Sequence, residues 1–488
     1  MSYKPFIEEQ KTSFGEIQVS EITPIVQIQS AYNINTRLIE ARDNNGSSSI
    51  SNKKFQVSTG AAANQSSSLL SVIAIKYNAG QGGIARFTAV FSSGVANSTQ
   101  YIGIGSAAEG YFFGYNGATF GILRRQGGSP EVRTLTVATG SSTAEDITIT
   151  LDGDAETTVT VTNTGDTTLT ANEIASHDFS NVGQGWKAHS MGANVVFESY
   201  NAASQTGTYS LGGAATAVGT FAQSIAGVAP TETIVAQTSW SEDKAAGAEI
   251  LPSITFTNGN VFQIQYQWLG FGAIEFSIEN PATGKFILVH RIEYANQNTN
   301  PSIDNPTLPL CIAVGNTSNT SDIILQSSSM LGGIEGKDIQ EGIPNASVIE
   351  TTGIGTTETP IVSIHNHTIF QSTINRIRTK LDELSVSFDA SAANKPAILR
   401  LRLNPTLTGA SFSAFDANTS VMRTDTSATA VSGGNLFFSI SLAEGSSSII
   451  DFFNRNIKIN PGDTITASLE ASNGTIDPIL TLGWKELF

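Results

Sequence analysis

Between Val261 and Trp268, the apolar residues Phe262, Ile264, Tyr266 and Trp268 alternate strictly with Gln263, Gln265 and Gln267. Successive side chains of a strand point to opposite sides of a sheet, so this spacing lays four apolar groups on one face and three amides on the other. A helix would scatter both sets around its axis. The period of two returns in Ile147, Ile149 and Leu151, in Val159 and Val161, in Leu399, Leu401 and Leu403, and in Ile465, Ala467 and Leu469. The runs 273–279 and 286–294 alternate as well, and Asn280, Pro281 and Gly284 between them have the composition of a hairpin loop. Strands this regular, separated by Gly, Asn, Asp and Pro, predict a mainly β protein: jelly-roll or β-sandwich domains, with a small inserted α/β domain and a C-terminal β-sandwich.

Helical signals are sparse. Thr170 followed by Glu173, ahead of Ile174, forms a capping-box pattern and predicts a short helix over about 170–178. A weaker helical candidate covers 449–454. The stretch 370–384 carries Ile374, Ile377, Leu381 and Leu384 at helical spacing but runs into Val386 and Phe388 at strand spacing, which leaves both readings open.

At 488 residues the chain exceeds a single core, and two or three domains are expected. Three compositional seams place them. Residues 131–229 form a Thr/Ala/Gly/Val-rich block, flanked by aromatic-rich strands, and read as an insertion into a sandwich made from 51–130 and 230–335. Residues 336–360 read as a linker before a C-terminal sandwich over 361–488. Residues 1–50 carry apolar groups without a core of their own and read as an extended docking arm.

Only 14% of residues are charged, against roughly 25% in ordinary domains, and the net charge is −16. Phosphate neutralisation needs a basic footprint, so nucleic acid is excluded as a partner. The longest basic cluster, Arg376, Arg378 and Lys380, is followed at once by Asp382 and Glu383. No apolar run approaches the ~20 residues that span a bilayer, so no membrane insertion is expected. The first residues lack an apolar stretch after Lys4, and no signal peptide is expected. Cys311, the single cysteine, reads as a small core residue.

Three stretches carry a resemblance. Residues 77–87, with Gly80, Gly82 and Gly83, followed by Gly110 to Arg125, resemble the jelly-roll head of structural proteins from tailed phages and large DNA viruses. The block from Leu135 through Ala175, with Gly185, Trp186 and the run 207–211, resembles a small α/β domain of phage tail and fibre proteins. Asn460, Pro461, Gly462 and Asp463, with the ending Gly483 to Phe488, are similar to the C-terminal sandwich of the same proteins. The resemblance implies an oligomeric virion protein of a tail fibre, collar or capsid surface, made in a host cytoplasm. It implies trimeric partnership with copies of itself, contact with other virion proteins through the N-terminal arm, and attachment to a host surface glycan. It supplies no catalytic residues and no cofactor. A carbohydrate-binding adhesin is the alternative, and a glycan-degrading fibre enzyme a third.

Few residues invite chemistry. His365 and His367 share a strand face at i and i+2. Two imidazoles are too few for a structural metal within one chain, but a three-fold axis would bring six together, as in some trimeric phage fibres. His290, in register with Leu288 and Ile292, reads as an interior histidine. Asp152, Asp154 and Glu156 lack calcium-loop spacing and read as an Asp-Gly hairpin turn. Gly80, Gly82 and Gly83 lack the lysine and following helix of a phosphate loop. A glycosidase needs two facing carboxylates, for which Glu109, Glu275, Glu279, Glu293 and Asp304 are the candidates. Tyr111, Tyr115 and Phe120 lie among glycines, where rings either stack on sugars or fill the core.

Overall fold

The alternating runs are strands. Phe262, Ile264 and Tyr266 are inside, on the strand Asn260–Tyr266, which pairs antiparallel with Ile274–Glu279 on one side and Gly83–Phe91 on the other. The computed structural model describes residues 22–162, 164–213, 215–338, 341–388, 395–443, 447–452, 455 and 457–488. They divide into two compact units. The first takes in the chain through Pro130, then Tyr200–Ser204 and the stretch beginning at Gly227; the second holds Glu131–Ser199, Gln205–Ala226 and the final part through Phe488.

The first unit is a two-sheet sandwich. One sheet runs in the order Phe286–Ile292, Ile274–Glu279, Asn260–Tyr266, Gly83–Phe91, Ile324–Ser327, Lys54–Ser58 and Ser47–Ser51, with Ser329–Glu335 also on Gly83–Phe91 and Ile22–Gln29 on Ser329–Glu335. The other runs Thr231–Ala236, Thr119–Gln126, Gly110–Asn116, Ser98–Gly105, Leu310–Asn316, Ser66–Ser71 and Ile39–Asn44. Consecutive hairpin strands, such as Ser98–Gly105, Gly110–Asn116 and Thr119–Gln126, lie beside strands distant in sequence, such as Gly83–Phe91 beside Ile324–Ser327, as strand-crossing sandwiches require. Between the sheets the Phe113 and Phe262 rings lie 4.9 Å apart, Phe113 and Phe276 5.4 Å, and Phe120 stacks on Phe256 at 3.6 Å. Aromatic burial of this kind dominates core energetics.

The amide face is not solvated, as alternation alone would suggest. Gln263, Gln265 and Gln267 are buried. Arg86 Nε donates to Gln263 Oε1 at 2.8 Å, and the Glu335 carboxylate accepts from Gln265 Nε2 and, at 3.3 Å, from Gln267 Nε2. Burial pushes the Glu335 carboxyl up, against those hydrogen bonds. A buried polar ladder is stable only while its members are paired, and this one is. The glycine-rich turn before it serves the same packing. A Cβ at Gly82 would overlap the Glu335 carboxylate, and one at Gly83 the Tyr266 ring.

The strands Ile22–Gln29, Ile39–Asn44 and Ser47–Ser51 belong to these sheets. The expected arm over 1–50 is therefore corrected from residue 22 onward, because these segments complete the ladders of other strands. Residues 1–21 lie outside the described ones.

In the second unit, the inserted block has a four-stranded sheet (Trp186–Met191, Asn194–Ser199, Val132–Thr139, Val218–Ile225) and a three-stranded one (Asp154–Val161, Glu145–Leu151, Ser210–Gly212). Both close with the helix Thr167–Ser176 over Leu135, Ile147, Ile149, Val159, Ile174 and Trp186. The block has the expected helix on strands, but it shares one compact unit with the C-terminal sandwich, and Tyr200–Ser204 within it belong to the first unit. The helix starts earlier than Thr170, because Asp166 is the cap and accepts from Thr168 N at 2.8 Å and Leu169 N at 2.9 Å. Glu173 instead accepts from Thr162 N at 2.9 Å.

The C-terminal sandwich has one sheet ordered Ile343–Glu350, Pro478–Leu487, Arg378–Phe388 and Ser448–Asp451, with Lys458–Ile459 also on Arg378–Phe388. The other contains Ser413–Ala414, Met422–Asp425, Thr359–Asn366, Thr464–Ala471, Ala397–Leu403 and Asn435–Leu442. Trp484, Leu482, Leu384, Leu399 and Ile465 fill the space between. The expected linker 336–360 is corrected: Ile343–Glu350 pairs along its whole length with Pro478–Leu487. The helical candidate at 449–454 is corrected by the strand Ser448–Asp451, and the open stretch near 380 resolves as the strand Arg378–Phe388. Within this unit Thr168 Oγ1 donates to Leu407 O at 3.1 Å and accepts from Gly409 N at 2.9 Å, tying insertion to sandwich.

Candidate functional site

Tyr111 is fully buried, its hydroxyl 2.8 Å from Ser302 Oγ, and burial holds that phenol well above its ordinary range. Phe120 is buried between Phe256 and Tyr115, and Tyr115, half-buried, meets Phe91 and Phe120 edge-on at 5.8 and 5.0 Å. Rings enclosed this way have no free face for a sugar, so the glycan-contact reading of Tyr111 and Phe120 is corrected to a core role. Phe112 and Phe113 point to opposite faces and both are buried. Cys311 is in the core, where burial pushes its thiol up to about 12.

His365 and His367 lie inside the second unit, with ring centroids 6.0 Å apart; His189 lies 5.6 Å from His365. Thr464 Oγ1 is 2.8 Å from His365 Nδ1. Desolvation, then the neighbouring imidazoles and Arg423, holds His365 well below the ordinary range, and burial takes His367 down to about 3. Imidazoles enclosed by their own chain are not placed to meet the same residues of two other copies, which corrects the trimer-axis metal reading. Among the described residues no three His, Cys, Asp or Glu side chains converge as metal ligands.

Five of the remaining candidates, His290, Asp152, Asp154, Glu109 and Glu275, have local partners. His290 Nδ1 accepts from Ser241 N at 3.1 Å. Asp152 and Gly153 have φ of 55° and 82° in a hairpin turn, and the carboxylates of Asp152 and Asp154 accept from Gly207 N and Gly183 N at 3.1 and 2.9 Å. Glu109 accepts from Asp304 N and Asn305 N at 2.8 and 3.1 Å. Glu275, whose carboxyl burial raises, pairs with Arg291 at 2.8 Å. Glu279 is half-buried, and Glu293 and Asp304 are exposed.

Two places stand out that alternation could not reveal. In the first unit an open depression of about 700 Å³ is lined by Tyr32, Asn33, Ile34, Asn35, Ile50 and Lys53, and the Tyr32 side chain is 80% exposed. In the second unit the outer face of the sheet that includes Ile343–Glu350 carries Val348, Thr481, Ser385 and Ile449 in one continuous cross-strand row. Val348 and Ile449, on its two border strands, are 68% and 78% exposed. A further cavity of about 330 Å³ in the second unit is bordered by Asn172, His189, Pro405, Phe412 and Thr464.

No protein-family model matches this sequence, and none of the curated proteins does. Among solved structures the chain is similar to the exoplasmic/lumenal domain of VIP36 in its Ca2+/Man3GlcNAc-bound form, at 9% identity over 66% of this chain and 92% of that one, with a TM-score of 0.27. It is similar to the lectin UEA-II complexed with galactose, at 9% identity over 64% of this chain and 100% of that one, with a TM-score of 0.23. A structure described for the triple jelly roll fold and turret assembly of an archaeal virus overlaps 92% of this chain and 89% of its own, at 7% identity and a TM-score of 0.15. Overlaps this loose transfer no function. The β-sandwich assignment rests on the sheets themselves.

Proposed function

We propose that this chain is a structural subunit of a virus particle, assembling with further copies of itself through the outer face of the C-terminal sheet. The row Val348, Thr481, Ser385 and Ile449 carries the reading. Aliphatic side chains this exposed in one row form an apolar patch of the kind that marks protein–protein contact, and the free backbone groups of the border strands beside it add a template for pairing. Here the row itself has hydroxyls and aliphatics, with the acids Glu350 and Asp451 next to it on the same face, which suits an apolar contact with a charged rim that a neighbouring copy covers. The resemblance of the glycine-rich and C-terminal runs to virion structural proteins supplies the kind of particle, and a weakly charged surface suits close-fitting contacts.

Light scattering on the purified chain tests assembly. A trimer or larger ring is expected, and Val348→Glu with Ile449→Glu should return it to single subunits without unfolding. Mass spectrometry of purified particles tests location. A chain that stays single at tens of micromolar and is missing from particles would remove the proposal.

The exposed Tyr32 depression favours a second reading, carbohydrate binding, as the adhesive part of a particle or as a free adhesin. Titration of the whole chain with oligosaccharides tests it.

A further inference from the structure

We propose that the depression around Tyr32 is a saccharide site that selects a pyranose bearing an anionic group, a carboxylate or a sulfate. The inference rests on the carbohydrate-binding reading and gives it a ligand class.

The backbone of the loop is pinned at both ends. Ser30 N donates to Ser328 O at 3.0 Å, and Ser30 Oγ reaches Ser328 O, also at 3.0 Å, and Lys53 O. Asn35 O accepts from Leu38 N and Ile39 N, both at 2.9 Å, and Asn35 Oδ1 accepts from Arg37 N at 3.0 Å. Ile34 and Ile50 pack on the main core and anchor the floor. On this fixed base stands Tyr32, a large ring left in water, flanked by the amides of Asn33 and Asn35. A ring face takes the apolar C–H face of a pyranose, while amides donate to and accept from its hydroxyls. The volume lies within the ordinary range for small-molecule sites.

Lys53 supplies the selection. It closes the hairpin between Ser47–Ser51 and Lys54–Ser58, where Asn52 and Lys53 have φ of 49° and 59°. Two-residue hairpins of this hand favour Asn-Gly, and lysine in the left-handed region is a strained choice. Strain kept at one position points to the side chain that it keeps. That side chain is the single charged group lining the depression. The chain as a whole carries −16 and would repel an anion, so a local cation is what admits one.

Calorimetric titration of the full chain with sialyllactose and a galacturonate oligosaccharide, beside neutral lactose, tests the assignment. The acidic sugars should bind more tightly than lactose. Tyr32→Ala should weaken all binding by about tenfold, since stacking contributes at that level. Lys53→Gly should weaken only the acidic sugars, while its melting temperature rises because strain is relieved. Binding that both variants retain unchanged would overturn the site yet leave carbohydrate binding standing. Lactose binding as tightly as the acidic sugars would overturn the anionic selection. A native chain that binds none of the three would overturn the site and the reading beneath it.

Discussion

Lys53 and Gly82 occupy positions where the backbone or its surroundings dictate the side chain, and in opposite senses. Lys53 holds a left-handed φ that costs an L-residue about 1–2 kcal/mol, while glycine there would add back roughly 0.5–1 kcal/mol of unfolded-chain entropy. Lys53→Gly is therefore expected to stabilise the fold by about 0.5–1 kcal/mol, read as a shifted midpoint in urea. Gly82 faces a carboxylate that Gln265 and Gln267 pin in place. Gly82→Ala should destabilise by about 1–3 kcal/mol, the usual range for an overfilled interior, in the same measurement. The reading of Gly80 to Gly83 as a tight turn was available from the missing lysine and helix. Which atom crowds Gly82 was not, since Glu335 lies more than two hundred residues along the chain. Tyr111 and Phe120 show the same limit. Glycine neighbours place a ring at a close approach, but only the opposing sheet decides whether that approach is to solvent or to another ring.

Among elements, strands were legible and their neighbours were not. Period two identified Asn260–Tyr266, Ile274–Glu279 and Phe286–Ile292 with their hairpin loop, because one residue's side determines the next. It could not show that the amide side of Asn260–Tyr266 is covered, or that Ile343–Glu350 is a border strand rather than a linker. The helix was legible and its start was not. Asp166 and Thr170 both carry cap-competent oxygens, but Asp166 precedes the first helical residue and accepts from two backbone donors, while Thr170 lies already inside the first turn. Asp166→Ala should cost about 1 kcal/mol, since two orphan N–H groups lose their acceptor. Thermal melts that did not move would show that the contacts with Leu407 and Gly409, not the cap, hold the helix end. The candidate depression escaped notice because residues 31–35 break the alternation, and a loop's exposure is a tertiary property.

At the scale of the molecule, the buried histidines set a pH limit. The folded values of His365 and His367 lie below the unfolded one, so the unfolded chain binds more protons as pH falls beneath about 6.5. The stability they hold is complete above that value and is lost as pH drops toward the folded values. Between about pH 6.5 and 5 the loss for His367 is about 2 kcal/mol. His365 acts in the same direction, and Arg423 beside both adds to the repulsion. Urea midpoints across that window should fall steeply for the native chain, and less steeply for His365→Phe. The insertion in the first sandwich bears on a different property. Thr119–Gln126 and Thr231–Ala236 are direct antiparallel partners, Gln126 opposite Thr231, and Ser129 and Val228 exchange both backbone hydrogen bonds just beyond them. The chain thus departs and comes back through a gap one ladder rung wide. Loop-closure entropy grows only logarithmically, so a passenger of about a hundred residues costs the host about 3 kcal/mol more than a four-residue turn. That junction is a splice port: a foreign module between Ser129 and Val228 keeps the flanking ladder in register, provided that it replaces the contacts that Tyr200–Ser204 give the first unit from within the excursion.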